Sequence, residues 1–266
     1  ASIKDGFDAG HGLPFDSDGM KDRYPGIFFS QFSGAELMAE RWNLSREDLD
    51  KFALSSHQKA AAAVEGKYFD REILPVQAKN AEGKKDMVLN DEGIRYDASL
   101  EALSGLNPVT EGGVITAGNA SQITDGAAAL LICNDEGLKK VKSDPRARII
   151  GISVVGDDPI LMLGGPIPAS HKVLKETKLT IDDIDLYEVN EAFAPVPLSW
   201  AIELKADMAK LNVNGGAMAL GHPLGATGAK LMTTLLHELE RTSGKYGLQA
   251  ICEGGGTANA TIIERI

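Results

Sequence analysis

Three short segments in the second half of the chain combine polar residues with small ones, and each follows a predicted strand. One holds Asn190, another holds His222 between a glycine and a proline, and the third holds Cys252 ahead of three glycines. In α/β folds, ligands bind at the loops beyond the carboxyl ends of strands. An imidazole, a thiol and an amide that met there would supply a base, a nucleophile or acid, and an oxyanion donor.

The histidine segment, residues 212–228, is the most distinctive of the three. Its glycines allow backbone conformations closed to other residues, and Pro223 fixes the chain direction after His222. Apolar residues at helical spacing follow from Ala226, so the segment predicts a loop that feeds a helix, whose first N–H groups can bind an oxyanion. Taken alone, it is equally compatible with a tight strand–helix connection. Cys252 alone is likewise compatible with a buried cysteine at a strand end.

Strands that alternate with helices must position these segments. The pattern predicts an α/β domain with strands at 148–155 and 186–189, followed by an antiparallel hairpin of strands at 248–252 and 260–264. The run 125–133 is continuously apolar, which predicts another strand buried on both faces, with Cys133 in the core. In the first half, helical spacing predicts helices at 34–42 and 45–66. The second of these has a capping box between Ser45 and Asp48.

Composition excludes several classes of function. The net charge is −11, which disfavours non-specific binding to nucleic acid, and no apolar stretch is long enough for a membrane span. The two cysteines lie in unrelated settings, which favours a reduced compartment and predicts a cytoplasmic protein. No signal peptide is visible, but the chain does not begin with methionine, so organelle targeting stays open.

Five motifs together resemble the thiolase family. They are TAGNASQITDGAAA from Thr116, GGPIPAS from Gly164, NEAFA from Asn190, NVNGGAMALGHPLGATGAK from Asn212, and CEGGG from Cys252. The resemblance implies an α/β thiolase fold with layers in the order αβαβα. It implies a substrate-covering loop domain at 1–123, a piece of the N-terminal domain at 124–144 and the C-terminal domain at 145–266.

The resemblance also implies roles for single residues. His222 matches the histidine that activates the acyl-accepting nucleophile, Cys252 the cysteine that acts as acid and base, and Asn190 the asparagine that holds a water in an oxyanion hole. Gly254 matches a glycine whose N–H helps to form a second oxyanion hole. Positions near the coenzyme A arm and the acyl group are matched by Ser121, Ala117, Met162 and Phe193.

One part of the family pattern is missing. The resemblance implies a nucleophilic cysteine in a CGSG-like motif of the N-terminal half, and residues 1–266 contain no such motif. We therefore expect most of the N-terminal domain, with the nucleophile, to be missing from this sequence, and the chain alone to be inactive. A smaller departure is Gln122, which stands where many relatives have glycine.

These expectations define a function and two alternatives. The resemblance implies an acyl-CoA acetyltransferase of degradative lipid metabolism (fatty acid β-oxidation), which cleaves 3-ketoacyl-CoA with coenzyme A or runs the reverse condensation. Acyl-CoA and coenzyme A are its substrates, no metal or resident cofactor is expected, and the assembly is a homo-dimer or homo-tetramer. The alternatives are a non-catalytic module that binds acyl-CoA, and a thioesterase-like hydrolase that uses Cys252 as its nucleophile.

Overall fold

A computed structural model describes residues 8–13, 15–79 and 82–266 of the chain. The strands of the described residues are β1 Val76–Lys79, β2 Lys85–Val88, β3 Ala147–Gly156, β4 Leu186–Val189, β5 Tyr246–Cys252 and β6 Thr257–Arg265. The helices are α1 Asp18–Arg23, α2 Gln31–Arg41, α3 Arg46–Glu65, α4 Leu100–Ser104, α5 Asp135–Leu138, α6 Pro166–Thr177, α7 Pro195–Leu204, α8 Ala217–Leu220 and α9 Thr227–Thr242.

A four-stranded mixed sheet organises the second half, in the order β3-β6-β5-β4. β4 and β5 are parallel, whereas β5, β6 and β3 pair antiparallel, so the predicted hairpin of the last two strands is confirmed. Neighbouring residues of β4 enter different cores: Tyr187 packs with Trp200, and Leu186 packs with Leu235 of α9. Because successive strand residues point to opposite faces, helices cover both faces of this sheet.

The helices of the first half pack onto this α/β unit. α2 contacts α7, and α3 contacts α8. The capping box at the start of α3 is confirmed: the Asp48 carboxylate accepts from Ser45 N at 2.9 Å, and the Ser45 hydroxyl accepts from Asp48 N at 3.2 Å. α2 begins three residues earlier than predicted.

The prediction of a buried strand over 125–133 is wrong. The segment has no strand partner among the described residues, and Leu131 and Ile132 are 76% and 69% exposed. Cys133 is exposed, although the apolar run predicted it to lie in the core. An apolar run indicates that a segment can be buried, but burial requires a second surface, and no element of the described chain supplies one here.

The strand predicted at 148–155 is present as β3, but it is not fully buried. β3 lies at an edge of the sheet, and only one of its faces is covered by α6, where a Cβ at Gly151 would lie 2.9 Å from Val173. Ile152 and Val154 point away from this helix and are 57% and 61% exposed. Among the helices of the described residues, none has the length and apolarity that a membrane span needs.

Candidate active site

Two of the three predicted segments meet because β4 and β5 are parallel neighbours. Cys252 is the last residue of β5, and Asn190 follows β4 directly, with its backbone N–H donating to Ala250 O at 3.0 Å. The Asn190 side chain interacts with the Cys252 thiol and lowers its pKa. The thiol and the amide therefore lie side by side at the carboxyl ends of β4 and β5, as the sequence predicted.

His222 reaches the same place from the loop between α8 and α9, so the prediction that its segment follows a strand is wrong. Its Nε2 lies 3.4 Å from Asn190 Nδ2, and its Nδ1 lies 2.6 Å from the buried hydroxyl of Thr227. With the amide nitrogen of Asn190 facing the ring, Nε2 is the acceptor and Nδ1 carries the proton, which it donates to Thr227. Asn190 thus bridges the imidazole and the thiol.

Burial keeps the imidazole neutral. Desolvation lowers the pKa of His222, and the positive charge of Lys230 lowers it further. Near neutral pH the ring therefore presents an unprotonated Nε2 to the site. This state is the one required of a general base.

Cys252 is held in the opposite state. Burial raises the pKa of its thiol to about 12, against which hydrogen bonds from its own backbone and from Asn190 lower it, and Glu253 raises it. The side chain is protonated near neutral pH, which suits a proton donor. A thiolate nucleophile would require a lowered pKa.

The three glycines after Cys252 form a tight turn into β6. Gly255 and Gly256 have φ of 75° and 81°, and a Cβ at Gly256 would lie 3.0 Å from Asp157 O. These conformations favour glycine. Nothing lies within 4 Å of a Cβ built at Gly254, so that residue sits on the open side of the turn.

Ser121 lies beside the asparagine loop. Its backbone N–H donates to Ala192 O at 2.9 Å, and the preceding residue, Ala120, forms a β-bridge with Phe193. Ala117 is exposed four residues earlier in the same segment. The structure therefore brings Ser121 next to the asparagine loop, whereas for Ala117 it shows exposure to solvent and no contact with the site residues.

Met162 and Phe193 are both buried and both pack against the start of α2. The Phe193 ring makes an edge contact with Phe32 at 5.3 Å, and a Cβ at Gly34 would lie 3.4 Å from Met162 Cβ. Met162 has φ of 59° and is the centre of a γ-turn closed by a hydrogen bond of 2.6 Å. This geometry is strained, and strain of this kind concentrates at ligand sites.

The sequence did not indicate the role of Glu191. Its buried carboxylate accepts from Ser56 Oγ at 2.7 Å, Asn212 Nδ2 at 2.9 Å and Met218 N at 3.1 Å. It thereby joins the asparagine loop to α3 and to the turn before His222. Burial raises its pKa, and the hydrogen bonds oppose that rise. Its position directly after Asn190 was the one available signal.

A cavity of about 570 Å³ lies next to the histidine loop. Pro223, Ala226 and Lys230 form part of its wall, together with the buried Glu72. His222, Asn190 and Cys252 do not line it. The cavity is therefore separate from the cluster of imidazole, amide and thiol.

Family models match nearly the whole described chain. The model "Thiolase, N-terminal domain" matches residues 15–136, and "Thiolase, C-terminal domain" matches residues 143–265. Part of the N-terminal domain is therefore present, in a longer stretch than the sequence had led us to assign to it.

Curated and solved proteins agree with the family models. A steroid 3-ketoacyl-CoA thiolase of Mycobacterium tuberculosis is 54% identical over 92% of this chain and 58% of its own length. An acetyl-CoA acetyltransferase of Bacillus anthracis superposes with a TM-score of 0.86 at 41% identity, over 91% of this chain and 61% of its own. Human mitochondrial 3-ketoacyl-CoA thiolase in complex with CoA superposes with a TM-score of 0.80 at 43% identity, over 88% of this chain and 58% of its own.

The match is partial in length. The chain spans about 58% of the first of these relatives, while the relative covers almost all of the chain. The five motifs, the two family models and the solved structures all point to one family. The chain belongs to the thiolase family.

Proposed function

We propose that the protein is an acyl-CoA acetyltransferase that cleaves 3-ketoacyl-CoA with coenzyme A, or catalyses the reverse Claisen condensation. The observation that carries the proposal is the bridge made by Asn190 between the His222 imidazole and the Cys252 thiol. Cleavage of a carbon–carbon bond next to a thioester requires a neutral base and a protonated acid. The His222 imidazole and the Cys252 thiol, both next to the Asn190 amide, can supply them.

In the first half-reaction, His222 Nε2 takes the proton of a cysteine thiol that lies outside residues 1–266. The sulfur attacks the 3-keto carbon, and the bond between C2 and C3 breaks. The leaving enolate of acetyl-CoA receives the Cys252 proton and departs as acetyl-CoA. Asn190 holds a water against the first oxyanion, and the Gly254 N–H faces the enolate oxygen, because developing charge needs preorganised donors.

In the second half-reaction, the Cys252 thiolate takes the proton of coenzyme A, whose sulfur attacks the acyl-cysteine. The cysteine leaves as a thiolate and recovers its proton from His222. Ser121 and Ala117 contact the pantetheine arm, and Met162 and Phe193 form the wall of the acyl site. Residues 1–123, most of which match the N-terminal family model, act as the domain over the substrate. Residues 124–144 continue the N-terminal domain, and 145–266 form the C-terminal domain.

The acyl substrate is proposed to be bulky. The relative at 54% identity is named a steroid 3-ketoacyl-CoA thiolase, which favours a degradative role on large acyl groups. A direct comparison of 3-ketoacyl-CoA substrates with short and with polycyclic acyl groups tests this point. A higher kcat/KM for the short substrate would contradict it.

The catalytic roles are tested by thiolysis assays on the natural-length polypeptide. His222→Gln and Cys252→Ser are expected to lower kcat by about 100-fold or more, because each removes a proton-transfer group. His171→Gln, at an exposed position of α6, is the matched control and keeps wild-type activity. Full activity of either site variant would refute the proposal.

The same samples separate the alternatives. Binding of coenzyme A without any turnover in the wild type would favour a non-catalytic module. Hydrolysis that depends on Cys252 would favour a thioesterase, although burial of this thiol and its raised pKa oppose a nucleophilic role.

A further inference from the structure

The short helix α8, which precedes His222, has backbone carbonyls that need hydrogen-bond donors from outside the helix. α8 is a single turn, so the carbonyls of its last residues have no helical N–H partner. The chain then passes through Gly221 at φ of 78°, where a Cβ would collide with the Thr124 side chain. A short turn of this kind holds its shape only if other groups bind its carbonyls.

Two side chains from other segments bind these carbonyls. The Gln122 amide donates to Met218 O at 2.6 Å and to Gly93 O at 2.7 Å. The Lys230 ammonium, from the first turn of α9, donates to Leu220 O at 2.5 Å and to Gly221 O at 3.3 Å. In addition, the Gln122 carbonyl accepts from His222 N at 3.3 Å.

Lys230 is also the charge that acts on the imidazole. Burial lowers the pKa of Lys230, but the carboxylates of Asp91, Glu188, Glu72 and Glu191 raise it and so support the ammonium form. Its positive charge adds to the effect of burial in keeping His222 neutral. A cation at the carbonyl end of a helical turn is itself favourable. One side chain thus sets both the shape of the turn and the electrostatic environment of the ring.

We propose that Lys230 and Gln122 are positioning residues for His222, which bind the backbone of the turn at residues 218–221 so that Nε2 faces Asn190. The catalytic meaning of this inference depends on the proposed function, but the placement of the ring does not. Both residues bind the backbone that carries the histidine, and Lys230 in addition acts on the ring through its charge.

The test is an NMR titration of His222 in the 266-residue chain. The ring signals are assigned by their loss in His222→Gln, and the pKa and the tautomer are read from the carbon and nitrogen shifts. Lys230→Met is expected to raise the pKa of His222 measurably, because it removes a nearby positive charge that lowers this pKa. Lys230→Arg keeps the charge and the donors and is expected to restore the wild-type value.

Gln122→Met separates shape from charge. It keeps the side-chain volume and removes both donated hydrogen bonds, so we expect a changed tautomer ratio with a smaller change in pKa. The control is Lys172→Met, which removes an ammonium that donates to a backbone carbonyl, Val154 O, without touching the histidine turn. This control leaves the His222 signals unchanged.

The outcomes are distinct. A His222 pKa and tautomer that stay at wild-type values in both Lys230→Met and Gln122→Met would overturn the inference. If Lys230→Met does not fold, Gln122→Met alone decides. Because the titration needs no turnover, an inactive protein with the expected shifts would refute the proposed function and not the positioning role. An active protein without these shifts would refute the positioning role and not the function.

Discussion

At the scale of the residue, the site depends on a single amide. Asn190 Nδ2 serves the imidazole, while Asn190 Oδ1 is buried and has no hydrogen-bond partner among the described residues. A buried acceptor without a partner is a place where an ordered water is expected. This geometry agrees with the role that the resemblance implies for Asn190, which is to hold a water in an oxyanion hole.

The two thiols should differ sharply in reactivity. In the folded 266-residue chain at pH 8, we expect maleimide to modify Cys133 quickly and Cys252 only after unfolding. Cys133 is exposed, whereas Cys252 is 8% exposed and its pKa is raised to about 12. Peptide mass spectrometry over time measures both rates, and Cys133→Ser should abolish the fast phase. Equal rates for the two thiols in native conditions would contradict the assigned burial of Cys252.

At the scale of the element, the sequence predicted the features that depend on residues close together in the chain, such as the bounds of strands and helices. The strand at 186–189 has the predicted bounds, and α9 begins at Thr227, directly after the predicted start at Ala226. The convergence of Asn190 and Cys252 also followed from the order of the elements. The bonds that hold the site were not visible, since Glu191 and Lys230 find their partners on segments far away in the sequence. A polar residue's partner depends on tertiary packing, which no local pattern contains.

The contribution of the capping box of α3 to the free energy of unfolding can be measured directly. Ser45→Ala should lower the free energy of unfolding by about 1 kcal/mol, because Asp48 N loses its acceptor at the helix start. Ser45→Thr, which keeps a hydroxyl that can accept from Asp48 N and donate to the Asp48 carboxylate, should cost much less. Urea denaturation of the two variants provides the comparison. An identical loss in both would show that the cap itself contributes nothing.

Glu240 on α9 and Glu72, which packs against that helix, should make the free energy of unfolding depend on pH in opposite directions. Burial raises the pKa of Glu72 to about 7, so its contribution is present below the ordinary value near 4.5 and is lost as the pH rises to 7. Hydrogen bonds from Arg146 lower the pKa of Glu240 to about 2, so its contribution is present above 4.5 and is lost as the pH falls toward 2.

Urea unfolding between pH 3 and pH 8 separates these two effects. Glu72→Gln should remove a decline of roughly 2 to 3 kcal/mol between pH 4.5 and 7, which corresponds to the raised pKa. Glu240→Gln should instead flatten the loss of stability below pH 4.5. A decline between pH 4.5 and 7 that survives Glu72→Gln would mean that another group causes it.

At the scale of the whole molecule, the 266 residues hold a well-packed sheet and two apolar surfaces that nothing in the described chain covers. Leu131 and Ile132 lie on the irregular segment, and Ile152 and Val154 lie on the uncovered face of β3. The apolar pattern was correctly recognised in the sequence, but its burial could not be inferred, because burial depends on which surface lies opposite. The relatives with which the chain aligns are longer than the chain.

These surfaces should drive association of the 266-residue chain without contributing to its folding. Leu131→Lys combined with Ile132→Lys is therefore expected to leave Tm within about 2 °C of wild type, since exposed positions contribute little to stability. The same pair should increase the monomer fraction in sedimentation velocity, because contiguous exposed apolar side chains promote contacts between copies. Leu235→Lys is the contrasting variant: this leucine is 1% exposed in the core, and a buried unpaired charge there should unfold the chain. A large fall in Tm for the 131/132 pair would show that the segment packs against the fold after all.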